Sequence, residues 1–381
     1  MSKFFCPLPW IHQFIQADGI KMCCSSRTKL NVTPIEFANS DYIKIVKETI
    51  ANGNIPSDCQ SCVRLENQGY NSTRTLALND WDYNIDTVPN KTEYLDLRYS
   101  NLCNFSCRTC EPAFSSEISR ELSEHDELKT YHDIAPNIHM ENTLIRFDLI
   151  NFLPTVKRIN FTGGEPLLIK ENISIFEELF ASGNIDCEIL ITTNGSIINN
   201  KILELIKKFN NVHWTISIDG VGPTAEYIRN GTKWGKLEDN INQILLLGYS
   251  VAFNTVLSAY SVLDLSNLVK FFKAQKEKFS NQPLEIWFAI CDTPNFLHPQ
   301  VLTKKLKDKA LIEINQTLML LTDIEKTVHI SSLGPLNSLK KNLNDSIINE
   351  TLPTKFIEYT STMDKIRNQN FNQTFNIDLL S

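Results

Sequence analysis

From residue 93 to residue 290, short β-rich runs alternate with helical stretches, and this alternation constrains the fold more than any other feature of the chain. Runs rich in Val, Ile, Thr and aromatic residues predict strands at Tyr94–Ser100, Arg158–Thr162, Glu188–Thr193, Val212–Ile218, Ser250–Val256 and Leu284–Ile290. Parallel neighbours need a crossover long enough to hold a helix, so strands separated by helices imply a parallel α/β sheet. One such helix is expected over Ile173–Ala181, with Asn172 as N-cap and Gly183 just past its end. The first connection, about 57 residues long, has room for more than one helix.

The faces of the strands choose between an open sheet and a barrel. In the last strand Leu284, Ile286, Phe288 and Ile290 oppose Glu285 and Trp287. In the first, Leu95, Leu97 and Tyr99 oppose Tyr94, Asp96 and Arg98, and in the fourth Val212, Trp214, Ile216 and Ile218 oppose His213, Thr215 and Ser217. A doubly wound sheet buries both faces and reads apolar throughout. One polar face predicts a partial (β/α)6 TIM-like barrel over residues 91–299, with its chemistry at the C-terminal strand ends. A small N-terminal domain is expected over residues 1–90, with a hairpin at Asp18-Gly19 and a helix over residues 41–52 that ends near Gly53. Residues 300–381 read as mostly helical, most clearly over Thr303–Leu321.

Composition narrows the setting. A net charge of −7 argues against a nucleic-acid surface spread over the whole molecule. The N-terminus lacks the apolar core and cleavage site of a signal peptide, and no run of 18 apolar residues appears, so a cytoplasmic location without membrane insertion is expected. Ten cysteines would stay mostly reduced there, and metal or iron–sulfur binding is the first explanation for so many free thiols.

Three of them form C-x3-C-x2-C at Cys103, Cys107 and Cys110, directly after the first predicted barrel strand. Three thiolates on one loop suit three corners of a 4Fe–4S cluster and leave the fourth iron open to a small molecule. The alternative is a zinc site completed from elsewhere in the chain. The second strand runs into Thr162-Gly163-Gly164-Glu165-Pro166, where paired glycines let backbone approach a ligand and a carboxylate is placed to hold an ammonium group.

Joined in this order, the two motifs make residues 93–290 resemble the radical SAM superfamily. The resemblance implies that Cys103, Cys107 and Cys110 hold a 4Fe–4S cluster whose open iron is chelated by S-adenosylmethionine. Gly163, Gly164, Glu165 and Pro166 match the motif that binds the methionine amino group. Further matches are Thr193-Asn194-Gly195 after the third strand and Ser217-Ile218-Asp219-Gly220 after the fourth. Arg229 looks like the family arginine that reaches the methionine carboxylate. One position departs: the family usually has an aromatic residue before the third cysteine, and here it is Thr109, with Phe105 placed to substitute near the adenine. The implied chemistry is reductive cleavage of the cofactor to a 5′-deoxyadenosyl radical, which abstracts a hydrogen atom from the substrate. An electron donor such as flavodoxin or ferredoxin is implied with it. Polar residues on the inner face, Asp96, Arg98, Asn160, Ser217, Asn254 and Glu285, are candidates for positioning the substrate or for a buried network that holds the barrel.

The N-terminal cysteines are Cys6, the pair Cys23-Cys24, and Cys59-Gln-Ser-Cys62. C-x2-C with two further cysteines is tetrahedral metal spacing. The pattern resembles the twitch domain, a short form of the SPASM domain that holds an auxiliary 4Fe–4S cluster, here placed before the barrel. The implied ligands are Cys6, Cys23 or Cys24, Cys59 and Cys62, with zinc as the structural alternative. Strand alternation through Ile20 and Met22 favours Cys24, whereas the hairpin resemblance favours Cys23. Cys187 reads as a packed residue, Cys291 falls near the predicted mouth, and Lys304, Lys305, Lys307 and Lys309 read as a solvated helix face.

The expected activity is that of an oxidoreductase-type radical enzyme. Oxidation or cross-linking of a peptide or protein side chain is the preferred reading of its substrate, and dehydrogenation or rearrangement of a small polar metabolite such as a sugar alcohol is the alternative. A non-catalytic zinc-binding interaction protein is the competing class.

Overall fold

The computed structural model describes residues 4–67, 71–132, 148–198, 200–322, 333–345 and 350–380. Its strands are β1 His12–Gln16, β2 Gly19–Lys21, β3 Tyr94–Arg98, β4 Ser106–Cys107, β5 Arg158–Phe161, β6 Glu188–Thr193, β7 Asn211–Ser217, β8 Arg229–Asn230, β9 Ser250–Leu257 and β10 Leu284–Ile290. The main sheet has eight strands, is mostly parallel and is not closed into a barrel. All six predicted strands are present, with small shifts at their ends: β3 stops at Arg98 and β9 runs on to Leu257.

Two compact units divide the chain. The first comprises Met1–Asn101, Ile138–Ile191 and Asn199–Val212; the second comprises Leu102–Asn137, Thr192–Ile198 and His213–Ser381.

In the first unit β3 pairs in parallel with β5 on one side and with β1 on the other, and β1 folds back antiparallel onto β2 through the turn at Asp18-Gly19. The N-terminal hairpin is therefore part of the main sheet, with Phe14 opposite Asp96 and Gln16 opposite Arg98. The apolar face of this half buries Leu95, Leu97, Ile159 and Phe161. Phe161 stacks on Phe176, ring centroids 4.3 Å apart, which seats the helix Lys170–Ala181 on the sheet. That helix starts earlier than expected, and Asn172 is not its N-cap, a role taken by Ile169. Asn172 is instead buried in the first turn, where its Nδ2 donates to Pro166 O at 2.8 Å and its Oδ1 accepts from Tyr99 OH at 2.5 Å. A residue with two tertiary partners no longer has its oxygen available for capping. The helix Asp41–Ala51 forms as expected, capped by Ser40.

In the second unit β7, β9 and β10 run parallel. Val212, Trp214 and Ile216 are buried while His213, Thr215 and Ser217 are half-buried, as the alternation predicts. In β10, Leu284, Ile286 and Phe288 are buried, Trp287 is exposed, and Ile290 is only half-buried because the chain leaves the sheet there. The C-terminal helices are Lys304–Thr322, Leu333–Asn342, Leu352–Arg367 and Phe371–Phe375. Phe356, Phe371 and Phe375 gather around Tyr260 and fill the space between helices with rings rather than aliphatic chains. Among the described residues no helix is long and apolar enough to cross a membrane.

Candidate active site

The cysteine loop is built in the second unit. Cys103 and Cys107 are buried with Phe105, and Cys110 packs against the three. Cys107 lies on the two-residue strand β4, which pairs antiparallel with β8 so that Cys107 stands opposite Arg229. The pairing leaves Gly231 pressed on the loop, with φ +105° and a position where a Cβ would come within 2.7 Å of the Phe105 ring and 2.8 Å of Asn104 O. Only glycine allows this approach.

Two groups reach the thiols. Asn194 Nδ2 lies 3.9 Å from Cys103 Sγ and donates to Asn104 Oδ1 at 3.0 Å, while Asn104 Nδ2 donates to Ser196 Oγ at 2.9 Å. The turn after β6 is thus hooked to the cysteine loop, and Thr193 Oγ1 closes that turn by accepting from Gly195 N. Arg229 Nη1 lies 3.8 Å from Cys107 Sγ. Its Nε is 2.8 Å from Asp219 Oδ2, an ion pair whose alignment falls short of a hydrogen bond, and Asp219 Oδ1 accepts from Val256 N at 2.8 Å. Burial opposes the Arg229 charge, but Asp219 outweighs it and keeps the guanidinium protonated. Ser217 sits at the end of β7 on the polar face, in register with Asn254.

Burial pushes the Cys107 and Cys110 thiols up, Arg229 opposing this at both. As bare thiols they hold their protons, and metal binding must displace them. Three soft sulfur donors gathered on one buried loop beside a fixed cation fit an iron–sulfur cluster. Among the described residues no three His, Cys, Asp or Glu side chains are arranged to hold a single metal ion. A 4Fe–4S cluster would take each thiolate on a separate iron and does not need the three to converge on one point.

Gly163 and Gly164 follow β5 in the first unit. Gly163 has φ +115° and a Cβ there would lie 2.8 Å from Ser100 O, while Gly164 N donates to the same carbonyl at 3.1 Å. Glu165 is fully buried and its Oε1 accepts from Leu167 N at 3.0 Å. Pro166 follows, its carbonyl held by Asn172. On the polar face nearby, Thr162 Oγ1 donates to Asp96 Oδ1 at 3.2 Å, and burial raises the Asp96 carboxyl. Arg98 Nε lies 3.8 Å from Asp96, too far for a hydrogen bond.

The N-terminal cysteines meet elsewhere in the first unit. Cys6, Cys23, Cys59 and Cys62 line one cavity with Asp58 and Arg74. Cys24 is exposed and turned toward Thr73, its Sγ 3.7 Å from Thr73 Oγ1. Alternation placed Cys24 on the inner face, but β2 ends at Lys21, so period two no longer governs at the pair. Burial pushes the Cys6 and Cys59 thiols up to about 12, neighbouring thiols adding to the effect and Arg74 opposing it. Four sulfur donors around one cavity match the donor set of a closed cluster; they are not arranged to hold a single metal ion such as zinc. Cys187 and Cys291 are buried, and their thiols donate to the backbone carbonyls Glu188 O and Thr293 O.

Sequence reading missed Asn104, Ser196, Gly231 and Arg74. Gly231 carried a signal, since a glycine directly after Arg229-Asn230 marks a tight turn; the others are ordinary polar residues until the fold brings them together.

An open parallel α/β sheet with a three-cysteine loop and a Gly-Gly-Glu-Pro turn after successive strands defines a class, and comparison with known proteins agrees with it. Residues 97–271 match the Radical SAM superfamily, and this stretch is a radical SAM domain. Among curated relatives, GTP 3',8-cyclase of Aliarcobacter butzleri (strain RM4018) is 27% identical over 194 residues, covering 50% of this chain and 55% of that protein. GTP 3',8-cyclase of Campylobacter jejuni subsp. doylei is 28% identical over 203 residues, covering 50% and 56%. The chain spans about half the length of the curated relatives it matches. Solved structures similar to it include native anSMEcpe with bound AdoMet (19% identity, 62% of each chain, TM-score 0.42). Streptococcus suis SuiB bound to precursor peptide SuiA is another (14% identity, 72% of this chain and 59% of that one, TM-score 0.40).

Proposed function

We propose that the chain is a radical SAM enzyme that abstracts a hydrogen atom from a polar substrate. The observation that carries this is the packing of Cys103, Cys107 and the partly buried Cys110 around Phe105, with Arg229 Nη1 3.8 Å from the Cys107 sulfur. When bound, a 4Fe–4S cluster and S-adenosylmethionine supply a hydrogen-abstracting radical, given one electron from a donor such as flavodoxin or ferredoxin. Cys103, Cys107 and Cys110 would hold the cluster. Arg229, kept charged and oriented by Asp219, would bind the cofactor carboxylate. Glycine at 163 and 164 lets the backbone approach the cofactor amino group, and the buried Glu165 braces that turn. Asn194 keeps the loop in place from the Cys103 side. Cys6, Cys23, Cys59 and Cys62 would hold an auxiliary cluster, an electron relay or structural support when all four are bound.

On the substrate, a small polar molecule is favoured over a peptide side chain. The polar face sets Asp96 opposite Asn160 on the adjacent strand, with Arg98 Nε 3.8 Å from Asp96 on β3 itself. The name of the matched relatives, GTP 3',8-cyclase, supports a small polar substrate and a cyclisation or rearrangement rather than a net oxidation. Peptide modification is the second reading.

The test is anaerobic reconstitution of wild type and of Cys103→Ala/Cys107→Ala/Cys110→Ala, with iron, sulfide and zinc counted and cofactor cleavage followed under a low-potential reductant. About eight irons in wild type and about four in the variant, with 5′-deoxyadenosine formed only by wild type, is the expected result. Zinc alone, or no cleavage by a fully loaded wild type, would end this reading. Turnover of GTP against a peptide library then separates the two substrate classes.

A further inference from the structure

We propose that the C-terminal helix Leu352–Arg367 is a working part of the cysteine site, with Arg108 and Glu121 as positioning residues that hold Cys107 from both sides. The proposal rests on the cluster-binding role argued above, and deepens it. Arg108 directly follows Cys107 and is fully buried. Its Nη2 donates to Asp364 Oδ1 at 2.6 Å and to Gln369 Oε1 at 2.8 Å, and its Nε donates to Tyr227 O at 3.1 Å. The guanidinium lies over the Tyr227 ring at 3.8 Å. The backbone of Arg108 is held as well, its N donating to Ile228 O at 2.8 Å and its carbonyl accepting from Tyr359 OH at 2.9 Å.

The residue before Cys107 is held by a second chain of bonds from the same helix. Arg367 grips Glu121 with Nε and Nη2, at 3.1 and 2.6 Å. Glu121 Oε1 accepts from Ser106 Oγ at 2.9 Å, and Ser106 Oγ accepts from Asn230 Nδ2 at 2.9 Å. Both chains therefore end on β4 or the residue after it, and on β8 or the residue before it; β8 is the strand that carries Arg229 opposite Cys107.

Buried ion pairs are poor sources of stability compared with packed apolar side chains, but removing one partner is heavily penalised. Two such pairs converging on the two neighbours of one cysteine are better explained by geometry than by stability. They fix where Cys107 and Arg229 stand relative to each other. The planar guanidinium fork is what makes this possible, and a lysine could not replace it.

The test uses Asp364→Asn, Arg108→Lys and Tyr359→Phe in the full chain. The first readout needs no metal: alkylation of Cys107 in the apoprotein by iodoacetamide, resolved by peptide mass spectrometry, with Cys187 as internal reference. About a tenfold faster rate at Cys107 with Cys187 unchanged is expected. The second is iron loss from the reconstituted protein to a chelator, expected to rise about tenfold, in the range found when supporting partners of metal ligands are removed. Tyr359→Phe deletes one hydroxyl and carries the test where the charge variants fail to fold. Wild-type alkylation at Cys107 in folded variants would overturn the proposal. Faster Cys107 alkylation in the variants, with a wild type that takes up no iron, would leave the brace standing and remove the cluster reading.

Discussion

Asp219 and Arg229 form a buried ion pair, 2.8 Å between Oδ2 and Nε, at the point where Arg229 also comes within 3.8 Å of the Cys107 sulfur. One carboxylate thus sets the orientation of the guanidinium that reaches the Cys107 sulfur. Asp219 is itself fixed by the Val256 amide, so the pair is pre-oriented. Asp219→Asn is expected to weaken S-adenosylmethionine binding about tenfold, or ~1.4 kcal/mol, while iron content stays at the wild-type value. Equilibrium dialysis of the cofactor on reconstituted protein measures this. Unchanged affinity would show that Arg229 does not depend on Asp219 for its role.

Gly163 offers a test of the turn. Its φ of +115° is strained for any L side chain, and a Cβ would meet Ser100 O at 2.8 Å, backbone that has little room to move. Gly163→Ala is expected to lower stability by about 1–3 kcal/mol in denaturant unfolding. It should also reduce cofactor binding under conditions where the protein remains folded. A fully stable variant with normal cofactor binding would remove the turn from the site.

The cysteine pair at 23 and 24 separates cleanly by position. Cys23 lines the cavity shared with Cys6, Cys59 and Cys62, and Cys24 is exposed. Cys23→Ser is expected to lose or destabilise the auxiliary cluster, lowering the iron count by up to about four per chain, and Cys24→Ser to keep it. The opposite pattern would move the ligand to Cys24, and no loss in either would point to a site that holds no cluster.

These contrasts mark what a sequence makes legible. Strands β3, β5, β6, β7, β9 and β10 of the main sheet announce themselves because Leu, Ile, Val and Phe alternate with polar residues over short spans, a local signal. The three-cysteine loop and the Gly-Gly-Glu-Pro turn are local too. The N-cap of the helix Lys170–Ala181 was misread because the partners that occupy Asn172, Pro166 O and Tyr99 OH, are tertiary. The parallel pairing of β1 with β3 was not foreseen, since it joins residues about eighty positions apart with no connecting pattern. The bracing pairs are further still: Arg108 and Asp364 are 256 positions apart, and Arg367 and Glu121 are 246 apart. Arg, Asp and Glu are everyday surface residues, and only the fold reveals that Arg108 and Glu121 are buried and that each has its charged partner.

The last prediction concerns pH. His12 opens β1, buried, its ring 4.2 Å from that of Tyr94. Its Nδ1 is 3.0 Å from Met22 O, so the proton sits on Nδ1 and Nε2 carries the lone pair. Burial, with a smaller contribution from Arg158, lowers its pKa from 6.5 to about 4, the Met22 carbonyl acting in the opposite sense. The neutral ring is the one the fold accepts. Between the two values the unfolded chain binds a proton that the folded chain refuses. Stability is therefore fully present above pH 6.5 and falls as pH drops toward 4, by about 3 kcal/mol from this residue. His12→Asn keeps a donor for Met22 O but has no proton to gain. Denaturant unfolding of the apoprotein between pH 7 and pH 4 should therefore show a steeper loss for wild type than for the variant. Equal slopes would mean that His12 accepts its proton in the folded state, and that the space around its ring is open to water.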